Sequence, residues 1–380
     1  MQALRLPRSK VHIGAPLPWN VRDEQGKLLL AKGYVIGDER QLDELLERGA
    51  FVDIEEVRAA AQADAPPAAP KVVAPTNLFG LWEKEAEVLR TLCQRPQANP
   101  EFASQFDAYA NHLLVLLDRN VDVGIYRAVR QENQPLFYYG YNHVIHTAVL
   151  CVLLARHLRW PLPRMTSLLK AALTMNLTIM ELQGQMAAQD VPMKDAQKKE
   201  ILVHPQRSVA LLTALGVSDT DWLTAIAQHH EHIDGSGYPA GCTNPTELAT
   251  ALRVCDVFMA KISPRALRDA LTPQDAIRQL YREDQGGPIS TAIIKQFGIY
   301  PPGDFVKLAS GELGIVVQCT SNAKAPIVAV ITDTAGRPVT KTLRRDSAQA
   351  GCAIVGNAVD KVLLKRLPPE RLYGFSAVSV

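Results

Sequence analysis

The chain has 380 residues, 47% of them apolar and 21% charged, and a net charge of 41 − 39 = +2. Near-neutral charge excludes a global basic field for nucleic acid, and no stretch nears the roughly 18 uninterrupted apolar residues of a membrane helix. Six scattered cysteines without a C-x-x-C pair, behind an N-terminus lacking an apolar signal core, point to reduced thiols and a cytoplasmic setting.

In chain order, Val21–Leu30 reads as a hairpin turning near Gly26. Gln41–Arg48 reads as a short helix stopped by Gly49, and Phe51–Ile54 as a strand. Residues 1–57 thus form a small N-terminal α+β module. Residues 58–76 are Ala/Pro-rich text that cannot bury a core and suit a tether. Helical periodicity dominates residues 77–297, which read as a bundle of about seven helices. Its segments include His146–Leu158, Leu168–Met180, Lys198–Leu215, Asp221–His230 and Thr246–Ile262. Beyond 298, Val306–Leu308, Gly314–Cys319, Ile327–Ile331 and Val339–Leu343 read as strands of a small C-terminal β-rich module. The fold class is therefore mainly α, flanked by two small modules.

The run from His229 to Gly241, HHEHIDGSGYPAG, carries the most chemistry. Histidines at the mouth of a glycine-bearing loop can hold a metal, while the loop's backbone amides can face a phosphate. Metal sites in bundles draw ligands from several helices, so His146, His204, His229, His230 and Asp256 form the candidate set. Each has a plain alternative. A histidine at a helix end often caps or is solvated, and Asp256, in an apolar helix, needs a partner such as Arg265 or Arg268.

The segment from about Tyr141 to Tyr281 resembles the HD-GYP domain, a bacterial branch of the HD metal-dependent phosphohydrolases that cleaves cyclic di-GMP. The signature H-H-E-x-x-D-G-S-G-Y-P-x-G matches His229–Gly241 at every specified position, and Asp256-Val257-Phe258 with Arg265 and Arg268 matches a downstream pattern. His204, before Pro205, falls at the family's middle histidine and His146 at its first. The resemblance implies metal contact by His146, His204, His229, His230 and Asp256. It implies nucleotide contact by Gly235, Ser236, Gly237, Tyr238, Arg265 and Arg268.

The same resemblance exposes a gap. Where the family has its His-Asp pair and a nearby lysine, this chain has Met175, Asn176 and Ile179. The carboxylate expected four residues before the first histidine is Asn142, and an acidic residue after Asp-Val-Phe is Met259. Two dications held about 3.5–4 Å apart need negative charge between them. Asn176 is neutral and Met175 a soft thioether, so no confident catalytic residue remains. The expectation is a degenerate HD-GYP protein of cyclic di-GMP signalling, binding that nucleotide, or a signalling protein through the GYP loop, with little or no hydrolysis. It would carry one divalent metal (Zn, Mn or Fe) or none. The alternatives are a phosphodiesterase with an altered, mononuclear site, and a structural interaction module without ligand.

Overall fold

The computed structural model describes residues 3–57, 77–131, 134–358 and 367–374, so the Ala/Pro-rich text at 58–76 lies outside the described residues. The chain divides into two compact units, residues 1–74 and 75–380.

In the first unit, strands β1 (Ala3–Arg5), β2 (Val21–Arg22), β3 (Leu28–Leu30) and β4 (Phe51–Asp53) form an antiparallel sheet in the order β1-β4-β2-β3. Gly26 takes φ 86° between β2 and β3, a left-handed turn that glycine adopts without strain. Helix α1 (Glu39–Glu47) starts where the Asp38 carboxylate accepts the Gln41 amide at 2.8 Å. Its buried Leu42 and Leu45 pack with Trp19, Val21, Ile36 and Val52 into a core of this unit's own.

Among the described residues the second unit opens with eleven helices rather than about seven. They are α2 (Leu78–Cys93), α3 (Phe102–Arg119), α4 (Val121–Val129), α5 (Tyr139–His157), α6 (Leu162–Thr174), α7 (Met180–Ala188), α8 (Asp195–Ala214), α9 (Thr220–Gln228), α10 (Glu247–Ile262), α11 (Pro273–Glu283) and α12 (Pro288–Phe297). Helix α5 is the axis. From Tyr139 to Ala155 only Asn142 is not buried, so α5 is enclosed on every side.

The helix expected across Leu168–Met180 is broken. Tight turns at Met175–Ile179, closed by Leu177 N–H to Thr174 and Ile179 N–H to Asn176, separate α6 from α7. Apolar periodicity ran through the break because Met175, Leu177 and Ile179 are all buried. Helix α7 is then pinned by close backbone approaches. A Cβ on Gly140 would lie 2.2 Å from the Met180 carbonyl oxygen, and one on Gly184 2.3 Å from that of Phe137.

A five-stranded antiparallel sheet follows, in the order β8-β7-β6-β5-β9, from β5 (Phe305–Leu308), β6 (Leu313–Gln318), β7 (Ile327–Thr332), β8 (Pro338–Asp346) and β9 (Ile354–Asn357). Strand β9 and the short helix α13 (Pro369–Tyr373) were not among the sequence-based expectations. The sheet is apolar on both faces. Phe305, Ile315, Val317, Ala329 and Ile331 join the core of the helices, while Val306, Leu308, Val316, Val328 and Val330 form a second cluster. The change at 298 is one of element type, and residues 75–380 share a core. Among the described residues no helix is long and apolar enough to cross a membrane.

Candidate functional site

Helices α5, α7, α8 and α10, with the loops after α6, α9 and α10, enclose a cavity of about 160 Å³. Its lining includes Tyr139 and His143 from α5, Asn176 and Ile179 from the break before α7, and Gln183, Met186 and Ala187 from α7. His204 comes from α8, Asp256 and Ala260 from α10, and His230, Tyr238 and Arg265 from the loops.

Three imidazoles meet at one point. His204, His229 and His230 each offer a ligand nitrogen, and these atoms lie within 4.8 Å of one another. The reason they present the same atom is local. His204 Nδ1 donates to the Ile201 carbonyl at 2.5 Å, and His229 Nδ1 to the Ile226 carbonyl at 2.6 Å. A carbonyl only accepts, so both Nδ1 atoms carry the proton and both Nε2 atoms present lone pairs. Each carbonyl is free for its own reason. Ile201 lies four residues before Pro205, which has no N–H to give it, and Ile226 lies in the last turn of α9, where carbonyls lack helical donors.

The two Nε2 atoms then face each other at 3.2 Å. Burial pushes His204 down to about 3, with His229 adding to the shift and the Ile201 carbonyl opposing it. Burial also lowers His229, and lowers His230 well below its ordinary value. Facing lone pairs on neutral imidazoles could hold a divalent cation, with the backbone bonds as the groups that orient the rings.

Asp256 is buried on α10, and neither arginine is its hydrogen-bond partner. His143 Nε2 donates to its carboxylate at 2.6 Å. Burial alone would raise Asp256, but the His143 bond and charge, helped by His230 and His229, hold it well below the usual carboxylate range. His143 was missed in the sequence, where His146 was placed at this position. Three residues on a helix are most of a turn, and the two histidines point to different surroundings. His146 is buried near Arg127, its Nδ1 has no hydrogen-bond partner among the described residues, and burial, Arg127 and His143 lower it to about 3. It stands outside the three-histidine cluster and outside the cavity lining. The signal available was Tyr139, four residues before His143, whose ring stacks on the imidazole at 5.6 Å and 5°.

The substituted positions also separate. Asn176 and Ile179 line the cavity, whereas Met175 and Met259 are fully buried core residues outside the lining. Met175 does not plug the site.

The GYP loop is organised differently from the amide cradle expected of it. The buried Glu231 carboxylate accepts from Ala240 N–H at 2.7 Å and Cys242 N–H at 2.8 Å. Ser236 N–H donates to Asp234, Gly235 N–H to His232 and Tyr238 N–H to His230. These amides are engaged within the loop, and Gly235, Ser236 and Gly237 lie outside the cavity lining. Gly237 allows the loop to close, since a Cβ there would sit 2.5 Å from the Glu231 Cα. Of the loop's four candidates only Tyr238 faces the cavity, stacked on His230 at 4.5 Å.

The two arginines part as well. Arg265 lines the cavity and donates to the Tyr139 hydroxyl through Nη2 at 2.6 Å and Nε at 3.0 Å, its guanidinium 4.9 Å from that ring's centroid. Arg268 is exposed, bonded to the Ala260 carbonyl, and outside the lining.

The family profile of the HD domain matches residues 127–286. Over 184 residues the chain is 29% identical to the cyclic di-GMP phosphodiesterase PA4108 of Pseudomonas aeruginosa, covering 47% of this chain and 44% of that protein, so less than half the relative's length is matched. A solved HD-GYP-type protein, Bd1817 of Bdellovibrio bacteriovorus, aligns over 77% of this chain and 98% of its own, with 15% identity and a TM-score of 0.46. The His229–Gly241 motif lies inside the segment, residues 127–286, that matches the HD domain.

Proposed function

We propose that this chain binds cyclic di-GMP at a single-cation centre formed by His204, His229 and His230, and acts as a receptor with little or no hydrolysis. The observation that carries the reading is the donor set. Three imidazole nitrogens converge on one point, while the cavity residue that would have to bridge a second ion is Asn176. An amide carbonyl is a weak neutral donor and does not balance two adjacent dications. Asp256 is the acidic residue of the cavity lining among the described residues, and His143 already holds it.

Bound there, one cation would supply Lewis acidity to a phosphate oxygen. Arg265 is the cavity's fixed cation. Its planar fork suits a phosphodiester oxygen, and Tyr139 holds it in place from beneath. Tyr238, on the other side of His230, offers a ring face for a base. Ile179 leaves the cavity without a second positive side chain, which favours grip over turnover. The substrate class comes from the relative's name and from the motif.

The test is calorimetric titration of cyclic di-GMP into the manganese-loaded chain, followed by chromatography of the same mixture. Saturable binding of intact nucleotide is expected, weakened about tenfold or more in Arg265→Ala. Quantitative conversion to a linear product, or no heat of binding at all, would refute the receptor reading.

A further inference from the structure

Ile179, which caps α7, and Gln183, Met186 and Ala187 within it face the cavity, at spacings of four, seven and eight residues that mark one helical face. Met193 and Ile201 extend this apolar wall. Gln183 is the one polar side chain in the stripe. Its Oε1 is buried and has no hydrogen-bond partner among the described residues. An unsatisfied buried acceptor is destabilising, and leucine would fill the same place without that cost. The helix that carries it is fixed in place, because Met180 of α7 lies against Gly140 of α5 and Gly184 of α7 against the Phe137 backbone.

We infer that Gln183 is a specificity residue that accepts a hydrogen bond from the N–H edge of the ligand's guanine. The inference rests on the cyclic di-GMP reading and deepens it. A flat ring with apolar faces and donors on one edge fits an aliphatic and thioether wall interrupted by one acceptor. The wall's methionines and isoleucines contact ring faces without selecting among bases, whereas the amide oxygen selects for a donor. Guanine presents adjacent donors, its ring N1–H and its exocyclic amine. A site built to hydrogen-bond a ligand rejects the analogue that leaves its buried group unpaired.

The experiment uses the full chain loaded with manganese and compares wild type with Gln183→Leu. Cyclic di-GMP and its inosine analogue, which lacks the exocyclic amine, are titrated calorimetrically into each. Thermal melts are recorded without nucleotide. Wild type should bind cyclic di-GMP more tightly than the inosine analogue. Q183L should lose about tenfold in cyclic di-GMP affinity and most of that discrimination. Its nucleotide-free melting temperature should hold or rise, which a purely structural glutamine would not allow. Equal cyclic di-GMP affinity in the two proteins overturns the inference while leaving the receptor reading standing, as does a large fall in melting temperature. Absence of cyclic di-GMP binding by wild type overturns both.

Discussion

Two histidines one turn apart on α5 have opposite fates. His143 has a carboxylate partner and lines the cavity, whereas His146 is buried with an unpartnered Nδ1. In the fold His146 takes a proton only near pH 3, against an ordinary value of 6.5, so between those values the unfolded chain holds the extra proton. Its contribution is therefore complete above about pH 6.5 and declines as pH falls toward 3. Replacement by leucine removes both the unsatisfied nitrogen and this pH term. His146→Leu should be more stable than wild type, and its advantage should grow by on the order of 1 kcal/mol between pH 7 and pH 5. Urea midpoints at the two pH values measure it; an advantage that shrinks in acid would contradict the burial argument. The sequence alone could not separate these residues, because helical phase relative to a distant Asp256 is set by tertiary packing.

At the scale of elements, a proline inside a helix orients one of the proposed metal ligands. Pro205 removes an N–H from α8, freeing the Ile201 carbonyl for His204 Nδ1. Pro205→Ala would give α8 its missing donor, which would compete for that carbonyl. The variant should melt higher without metal yet bind manganese about tenfold more weakly, since groups that orient a ligating histidine are typically worth about 10- to 100-fold in metal affinity. Competition with a fluorescent chelator reads the second effect, and unchanged affinity would show that His204 needs no such support. Much of the element pattern was legible: the hairpin at Gly26, the helix ended by Gly49 and the strands after 298 follow from turn residues and apolar periods. The break at Met175–Ile179 was not, because its residues are apolar and buried whether or not they are helical. The loop's inner wiring was hidden for a related reason. Nothing in the string says that Glu231 would gather the amides of Ala240 and Cys242.

Across the whole second unit, packing rather than sequence proximity assembles the site. Residues from α5 to α10, more than a hundred positions apart, converge because α7 and α10 pack directly on the buried α5, while α8 is held through α9. The C-terminal sheet contributes one apolar face to the same core through Phe305, Ile315 and Ile331. The motif His229–Gly241 carried the family resemblance in the sequence, but only the folded unit shows which of its members look inward: His230 and Tyr238 at the cavity, His229 outside its lining, and the glycines in the loop's own closure. The central claim is that this arrangement holds one cation where two would be needed for efficient hydrolysis. Native mass spectrometry of the intact chain, saturated with manganese and then given cyclic di-GMP, tests it most directly. One metal per chain with uncleaved nucleotide bound is the expected result; two metals per chain, accompanied by linear product, would contradict it.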